Sequence, residues 1–200
     1  MARFDRSQVT MFLHVLDTFL KDDLKIFVIG GLAAMLGYDA DVQTADMDVF
    51  TIHAGSETDL KQAAQTARKM TGVTLLLDRA SIAELPYNYE ERVRPLRGVR
   101  FNKLVITVPD KYDLVLSKAL RTYEHDLAAI QSIHEHHPLS EKTLAKRFET
   151  EIWKEATTDP KKFAFHMVMV MRLLYGEDRA KHYKAKWEQV LATWPWGKVT

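Results

Sequence analysis

The sequence contains no cysteine. This absence excludes disulfide bonds, thiolate-ligated zinc, iron–sulfur clusters and cysteine nucleophiles, and it fits a reducing compartment. An excess of charge of one sign is also missing, because 28 Lys and Arg residues face 27 Asp and Glu residues and leave a net charge of +1. The chain as a whole therefore generates no field that would attract nucleic acid or an acidic membrane, and such a partner requires a local patch.

Long apolar segments are absent as well. The longest, at positions 163–175, is interrupted by His166 and Arg172 and is shorter than the roughly 20 residues of a membrane-spanning helix. Residues 1–8 are largely polar and charged, unlike the start of a signal peptide. We therefore predict a cytoplasmic protein without a membrane partner. With 46% apolar residues among 200, the chain is able to form a hydrophobic core of ordinary size.

The apolar pattern predicts a mixed α/β fold with a helical C-terminal portion. Strands are predicted at 25–29, 47–53, 73–77, 92–97 and 100–108, the last two as an antiparallel hairpin. Helices are predicted at 9–20, after residue 31, at 57–70, and near 111–121, 123–135, 141–155, 160–175 and 177–191. We expect a mixed sheet flanked by helices over residues 1–108, with a helical region over 109–200 packed on it.

Two acidic residues follow a glycine pair in the first part of the chain. Gly30 and Gly31 close the first predicted strand, and Asp46 and Asp48 lie in the second. Residues two apart in a strand face the same side, so the two carboxylates would point in one direction about 7 Å apart. Because such anions repel, one would take up a proton unless Mg²⁺ or Mn²⁺ lay between them. The spacing therefore predicts a divalent metal site.

The glycine pair predicts an anion site beside the metal. Glycine lets the backbone approach a ligand closely, and the first amides of the following helix are free to bind an anion. A nucleoside triphosphate (NTP) would fit there, with metal ions bridging its phosphates and neutralising charge as pyrophosphate leaves. Asp78, predicted at the end of the third strand, is the candidate third carboxylate. It would share a second metal or activate the incoming hydroxyl group.

This combination of glycine pair, Asp-x-Asp and later strand acid resembles the nucleotidyltransferase superfamily, which includes DNA polymerase β-like enzymes and minimal nucleotidyltransferases. Within it, Lys118 on a predicted helix before His125-Asp126-Leu127 is similar to a segment of AbiEii-type toxins. The resemblance covers roughly residues 24–130 and implies Mg²⁺-dependent transfer of a nucleotide from an NTP to a hydroxyl group of RNA or protein. It also suggests a toxin–antitoxin component with an antitoxin partner.

The same resemblance assigns roles to individual residues. The implied metal ligands and catalytic carboxylates are Asp46, Asp48 and Asp78. The implied nucleotide-binding residues are Gly30, Gly31, Thr44, Lys118 and Asp126, with Lys118 on a phosphate and Asp126 in a supporting role.

Each assignment has a plainer alternative. Asp-x-Asp occurs often by chance at solvated strand ends, and it is also found in metal-dependent glycosyltransferases, which generally need a larger nucleotide-sugar domain. Asp78 fits a strand cap as well as a ligand, and Lys118 fits a solvated helix lysine. The chain as a whole also fits a non-catalytic member of the fold that binds a nucleotide, nucleic acid or a protein.

A basic run without any acid lies on the predicted hairpin. It consists of Arg92, Arg94, Arg97, Arg100 and Lys103. The arginines would bind the phosphates of an RNA acceptor or a nucleotide, or contact a protein acceptor. Alternatively, the run forms a solvated edge that discourages aggregation of strands. Both interpretations stay open on the sequence alone.

Overall fold

The computed structural model describes residues 2–79, 85–153 and 159–193. The strands in these ranges are β1 (Leu24–Val28), β2 (Asp46–Ala54), β3 (Leu76–Arg79), β4 (Arg94–Pro95) and β5 (Leu104–Val108). The α-helices are α1 (Arg6–Phe19), α2 (Gly30–Tyr38), α3 (Glu57–Thr71), α4 (Lys111–Ala119), α5 (Glu124–His136), α6 (Glu141–Arg147), α7 (Pro160–Tyr175) and α8 (Glu177–Ala192). None of these helices combines the length and the apolarity needed to cross a membrane.

The strands form one mixed sheet in the order β3-β2-β1-β5-β4. Strand β1 is antiparallel to β2 and parallel to β5, while β2 is parallel to β3. The short β4 pairs with β5 in the antiparallel sense. A mixed sheet followed by helices confirms the predicted fold class. The topology also brings the end of β1, where α2 begins, beside the start of β2.

The hydrophobic core lies against one face of the sheet and continues into the C-terminal helices. Met47 and Val49 of β2 are 1% and 3% exposed, as their alternation with the aspartates predicts. They belong to one buried cluster with Leu16 of α1, Ile130 of α5 and Trp187 of α8. Residues on both sides of position 108 share this core. The division of the chain into two regions at that position stays a prediction.

The prediction for the third strand is wrong by about three residues. Strand β3 covers Leu76–Arg79, so Asp78 lies inside the strand and does not follow its end. Val73 and Leu75 are buried although they precede the strand. The apolar run therefore reflects burial of the segment that leads into the strand, which sequence periodicity alone does not separate from pairing.

The hairpin is confirmed in its antiparallel pairing but is shorter than predicted. Residues 94–95 alone form β4, and a 3₁₀ turn at Tyr89–Arg92 precedes them. Pro95 has no amide to donate to a ladder, which limits the length of this edge strand. The helix predicted at 141–155 also differs, since α6 ends at Arg147 and a π-helical turn follows over Phe148–Ile152. Residues 154 and 155 of that prediction lie outside the described ranges.

Candidate functional site

A cleft of about 860 Å³ opens where α2 begins and β2 starts. Its lining combines glycines of a helix N-terminus, five carboxylates and several cationic side chains. The predicted site residues in this lining are Gly30, Gly31, Thr44, Asp46, Asp48, Lys118 and Asp126. Every predicted site residue except Asp78 therefore borders this cleft, although the residues come from distant parts of the chain.

Gly30 and Asp48 are in direct contact across the cleft wall. A Cβ atom on Gly30 would lie 2.2 Å from Oδ2 of Asp48, and the φ angle of Gly30 is +70°. Glycine is therefore required here both by space and by backbone conformation. The amide of Ile29 donates to the carbonyl of Asp48 at 3.1 Å, which fixes the start of α2 to β2. The glycines are thus the first residues of α2 and not a separate turn before it.

Two carboxylates, those of Asp46 and Asp78, add negative charge near Asp48. Asp46 lies two residues before it on β2, and Asp78 of β3 is its direct register partner. Burial raises the pKa of Asp48, and the charges of Asp46 and Asp78 raise it further. The cations Arg121 and Lys118 act in the opposite direction. The site therefore has the electrostatic character expected from the Asp-x-Asp spacing, in which a bound cation would relieve repulsion.

The donor set fits a metal ion that arrives with a nucleotide. Among the described residues, no three His, Cys, Asp or Glu side chains form a group that could hold a metal ion. Asp78 is exposed and borders a smaller cavity of about 200 Å³ together with Phe50 and Leu77. Mg²⁺ in proteins is usually bound by one or two carboxylates with substrate phosphates and water. Asp46 and Asp48 match this mode of binding.

A buried ion pair forms another part of the cleft lining. Nζ of Lys118 donates to Oδ1 of Asp126 at 3.0 Å, and the two residues are 3% and 0% exposed. Burial lowers the pKa of Lys118, while the carboxylate of Asp126 opposes that shift. Oδ1 also accepts from Arg121 at 3.3 Å, whereas the buried Oδ2 accepts no hydrogen bond in the described part of the chain. Buried polar atoms without a hydrogen-bond partner are rare in proteins, and a ligand bound in the cleft would supply a partner for this oxygen.

Thr44 and the N-terminal segment form the remaining side of the cleft. The Thr44 hydroxyl donates to the carbonyl of Asp46 at 2.9 Å and lies against Gly31. Phe4 exchanges two backbone hydrogen bonds with Thr44, at 2.8 and 3.1 Å, and this pairing brings Arg3 into the cleft lining. Arg3 is not predicted by the sequence, because no local pattern indicates that residues 3–4 pair with residue 44.

The basic run on the hairpin has a role that neither sequence interpretation includes. Arg92 donates to both carboxylate oxygens of Asp113 at 2.9 Å and to Glu151 at 2.7 Å. Arg94 forms an ion pair with the buried Asp110 at 2.8 Å. Nζ of Lys103 donates to backbone carbonyls near the end of α1. These residues connect elements of the fold and do not line the cleft.

Arg97 and Arg100 are exposed, and within the described ranges neither forms an ion pair, in contrast to Arg92 and Arg94. Binding of an acceptor by the four arginines stays a prediction, and the internal contacts leave these two best placed to make it.

The mixed sheet and the carboxylates beside a glycine-started helix are features of the nucleotidyltransferase class. A family model described as nucleotidyltransferase of unknown function (DUF6036) matches residues 8–192. The chain therefore belongs to this family, and the match includes both the sheet and the C-terminal helices. This confirms the superfamily assignment, while closeness to AbiEii-type toxins stays a prediction. No curated protein and no solved structure matches the chain.

Proposed function

We propose that this protein is an enzyme that transfers a nucleotide from an NTP to a hydroxyl group of an acceptor, with Mg²⁺ or Mn²⁺ as cofactor. The observation that carries the proposal is the convergence of Asp46, Asp48 and the start of α2 on one cleft with the buried Lys118–Asp126 pair. Membership of a nucleotidyltransferase family supports the class of reaction. RNA and protein are the proposed acceptors, and a toxin–antitoxin pair is the proposed context.

The two aspartates of β2 would hold the metal ion. When bound, Mg²⁺ supplies positive charge that neutralises the triphosphate and aligns the reacting oxygens. Metal binding needs ionised carboxylates, and the raised pKa of Asp48 means that protons compete for this ligand. We therefore expect metal affinity to rise with pH as Asp48 loses its proton.

The triphosphate would lie at the N-terminus of α2. Ile29, which precedes the helix, has an apolar side chain that cannot cap the first amides, so these amides are suited to bind phosphate oxygens. Thr44 would act by orienting the start of β2, because its hydroxyl is bonded to the backbone of Asp46. The ammonium group of Lys118, held by Asp126, would add a positive charge for a phosphate.

In the proposed reaction, the acceptor oxygen forms a bond to the α-phosphorus of the NTP. The bond from this phosphorus to the bridging oxygen breaks, and pyrophosphate leaves with the electron pair. The hydroxyl proton passes to a carboxylate, for which we propose Asp78 because it is adjacent to Asp48 in the sheet. The exposure of Asp78 gives an acceptor access to it from solvent.

A second candidate function is binding of a nucleotide, nucleic acid or protein without catalysis. The observation that favours it is the position of Asp78, which borders the smaller cavity and not the main cleft. A site that lacks its third carboxylate would retain nucleotide affinity through α2 and Lys118 but would not activate an acceptor.

Transfer of label from α-³²P-NTPs to RNA or protein distinguishes the two candidates. We expect incorporation with at least one of the four NTPs only when Mg²⁺ or Mn²⁺ is present. Asp48→Asn should lower incorporation by at least about 100-fold, because it removes an anionic metal ligand. Asp22→Asn is the matched control, since Asp22 is exposed in the α1–β1 connection at the other end of β1.

Incorporation that is independent of metal, or that persists in Asp48→Asn, would contradict the proposed mechanism. Metal-dependent nucleotide binding without incorporation from any NTP would support the non-catalytic candidate.

A further inference from the structure

Two stacked aromatic rings lie at the rim of the cleft. The ring centroids of Tyr123 and His125 are 5.7 Å apart, and the ring planes are inclined by 21°. Tyr123 is 61% exposed and the side chain of His125 is 59% exposed. The pair is therefore formed in solvent and contributes little to the core. Flat, exposed rings of this kind are the surfaces on which proteins stack nucleobases.

Backbone hydrogen bonds define the conformation of the segment that carries this pair. Thr122 precedes it with a φ angle of +54°, a conformation that β-branched residues rarely adopt. The amides of Arg121 and Thr122 both donate to the carbonyl of Lys118, and the amide of Asp126 donates to the carbonyl of Tyr123. The connection between α4 and α5 is thus tied to the Lys118–Asp126 ion pair, which places the backbone of Tyr123 and His125 beside the cleft.

The pair supplies a surface that the rest of the cleft lacks. His125 borders the cleft, and its Nε2 lies 3.8 Å from Oδ2 of Asp126. Among the described residues that line the cleft, His125 carries the only aromatic ring. The other lining groups include carboxylates, cations and backbone amides, which suit metal and phosphate. A base entering the cleft with its phosphates therefore finds one ring on which to stack.

We propose that Tyr123 and His125 form a stacking platform for a nucleobase, which contacts the face of the imidazole ring that Tyr123 does not cover. Arg121, whose side chain is 53% exposed, lies beside the platform and would contact the attached phosphate. This inference rests on the proposed function only in that the ligand is a nucleotide or a nucleic acid. The base has two sources, the NTP itself or the end of a single-stranded acceptor.

Equilibrium binding tests the platform without any turnover. The ligands are α,β-methylene ATP with Mn²⁺, which binds as a nucleotide but resists transfer, and tripolyphosphate with Mn²⁺, which has no base. The variants are Tyr123→Leu and His125→Ala, with Tyr123→Phe to keep a ring. Tyr87→Leu is the control, since Tyr87 is 71% exposed and does not line the cleft.

If the platform binds the base of the NTP, Tyr123→Leu and His125→Ala should weaken α,β-methylene ATP by about 10-fold. Tyr123→Phe and Tyr87→Leu should bind it as the wild type does, and tripolyphosphate should bind all variants equally. A separate measurement uses a short single-stranded RNA with 2-aminopurine at its 3′ end, whose fluorescence is quenched on stacking. If the platform binds the acceptor, quenching should disappear in Tyr123→Leu while affinity for the ATP analogue is unchanged.

Equal affinity of the wild type and Tyr123→Leu for both base-containing ligands would overturn the platform. The platform would also be overturned if the variants lost as much affinity for tripolyphosphate as for α,β-methylene ATP. A wild type that binds neither base-containing ligand would overturn it as well. The outcome is separable from that of the proposed function. Base-dependent binding without label transfer overturns catalysis alone, whereas label transfer by a protein whose affinity for both base-containing ligands is unchanged in Tyr123→Leu and His125→Ala overturns the platform alone.

Discussion

The two ends of helix α4 carry ionic clusters of similar composition that differ in how completely their charges are partnered. At the N-terminal end, Asp110 and Asp113 are 2% and 0% exposed. Arg92 binds Asp113 with two hydrogen bonds, Arg94 binds Asp110, and Arg147 donates to both aspartates. Burial raises the pKa of Asp113, and the guanidinium groups of Arg92 and Arg147 counteract that shift.

At the C-terminal end of α4, the partners are incomplete. Lys118 is bound to Oδ1 of Asp126, but Oδ2 of this buried carboxylate accepts no hydrogen bond from the described residues. Nearby, Asp48 is surrounded by carboxylates that raise its pKa. We infer that the saturated cluster holds elements of the fold together, whereas the incomplete cluster retains binding capacity for a ligand. Removing a charge at Arg92 in the saturated cluster and at Asp48 beside the incomplete one should therefore have opposite effects on stability.

The largest expected effect is in the saturated cluster. Arg92→Met should lower the free energy of unfolding by about 3 kcal/mol, because it leaves the buried Asp113 with one partner fewer. Arg97→Met, at an exposed position of the same basic run, should change it by no more than about 0.5 kcal/mol. Urea denaturation measures both values. Equal free energies of unfolding for the two variants would show that the cluster does not stabilise the folded state.

A smaller loss is expected where α2 meets β2. Gly30→Ala should lower the free energy of unfolding by about 2 kcal/mol, since the new methyl group occupies the position of the Asp48 carboxylate. Gly98 has a similarly positive φ angle but open space around it, so Gly98→Ala should lower the free energy of unfolding by about 1 kcal/mol. Titration with Mn²⁺ should show weakened metal binding in Gly30→Ala alone. Normal metal binding in that variant would contradict the assigned role of Asp48.

The smallest expected effect is a gain in stability and concerns Asp48. In the metal-free protein, the raised pKa of Asp48 means that the folded state binds more protons than the unfolded state above the ordinary value of 3.8. Stability therefore falls as pH rises through that window, and Asp48→Asn removes the penalty. At pH 7 this variant should gain about 2–4 °C in Tm.

The advantage of Asp48→Asn should vanish in acid below the ordinary pKa of 3.8. It should also be reversed by Mn²⁺, which stabilises only the form that binds it. Thermal scans of both proteins over a pH series, with and without Mn²⁺, measure the difference. A wild type that is more stable than the variant without metal at pH 7 would show that Asp48 is a structural residue.

Sequence reasoning predicts those features of the site that lie close together along the chain. The apolar strand before Gly30, the alternation around Asp46 and Asp48 and the helices after residue 110 all follow from local spacing. The family resemblance adds Lys118 and Asp126, whose side chains are in contact in the folded chain. Together these patterns predict a mixed α/β fold and seven of the residues that line the cleft.

Features that depend on contacts between distant residues are not predicted. The ion pairs of Arg92 are not predicted, because its partners Asp113 and Glu151 come from later parts of the chain. The limits of β3 are misplaced because burial of Val73 imitates a strand. The Tyr123–His125 stack depends on the left-handed conformation of Thr122, and a threonine gives no local signal for that conformation.

The pairing of Phe4 with Thr44 has a practical consequence for expression and purification. Because Arg3 borders the cleft, any residues joined ahead of it emerge next to the entrance for ligands. A polyhistidine tag at that position would place a chelating peptide beside two aspartates and compete for the divalent ions used in assays. Enzymological work should therefore cleave such a tag completely, and residual vector-derived residues should be checked by mass spectrometry before metal affinities are interpreted.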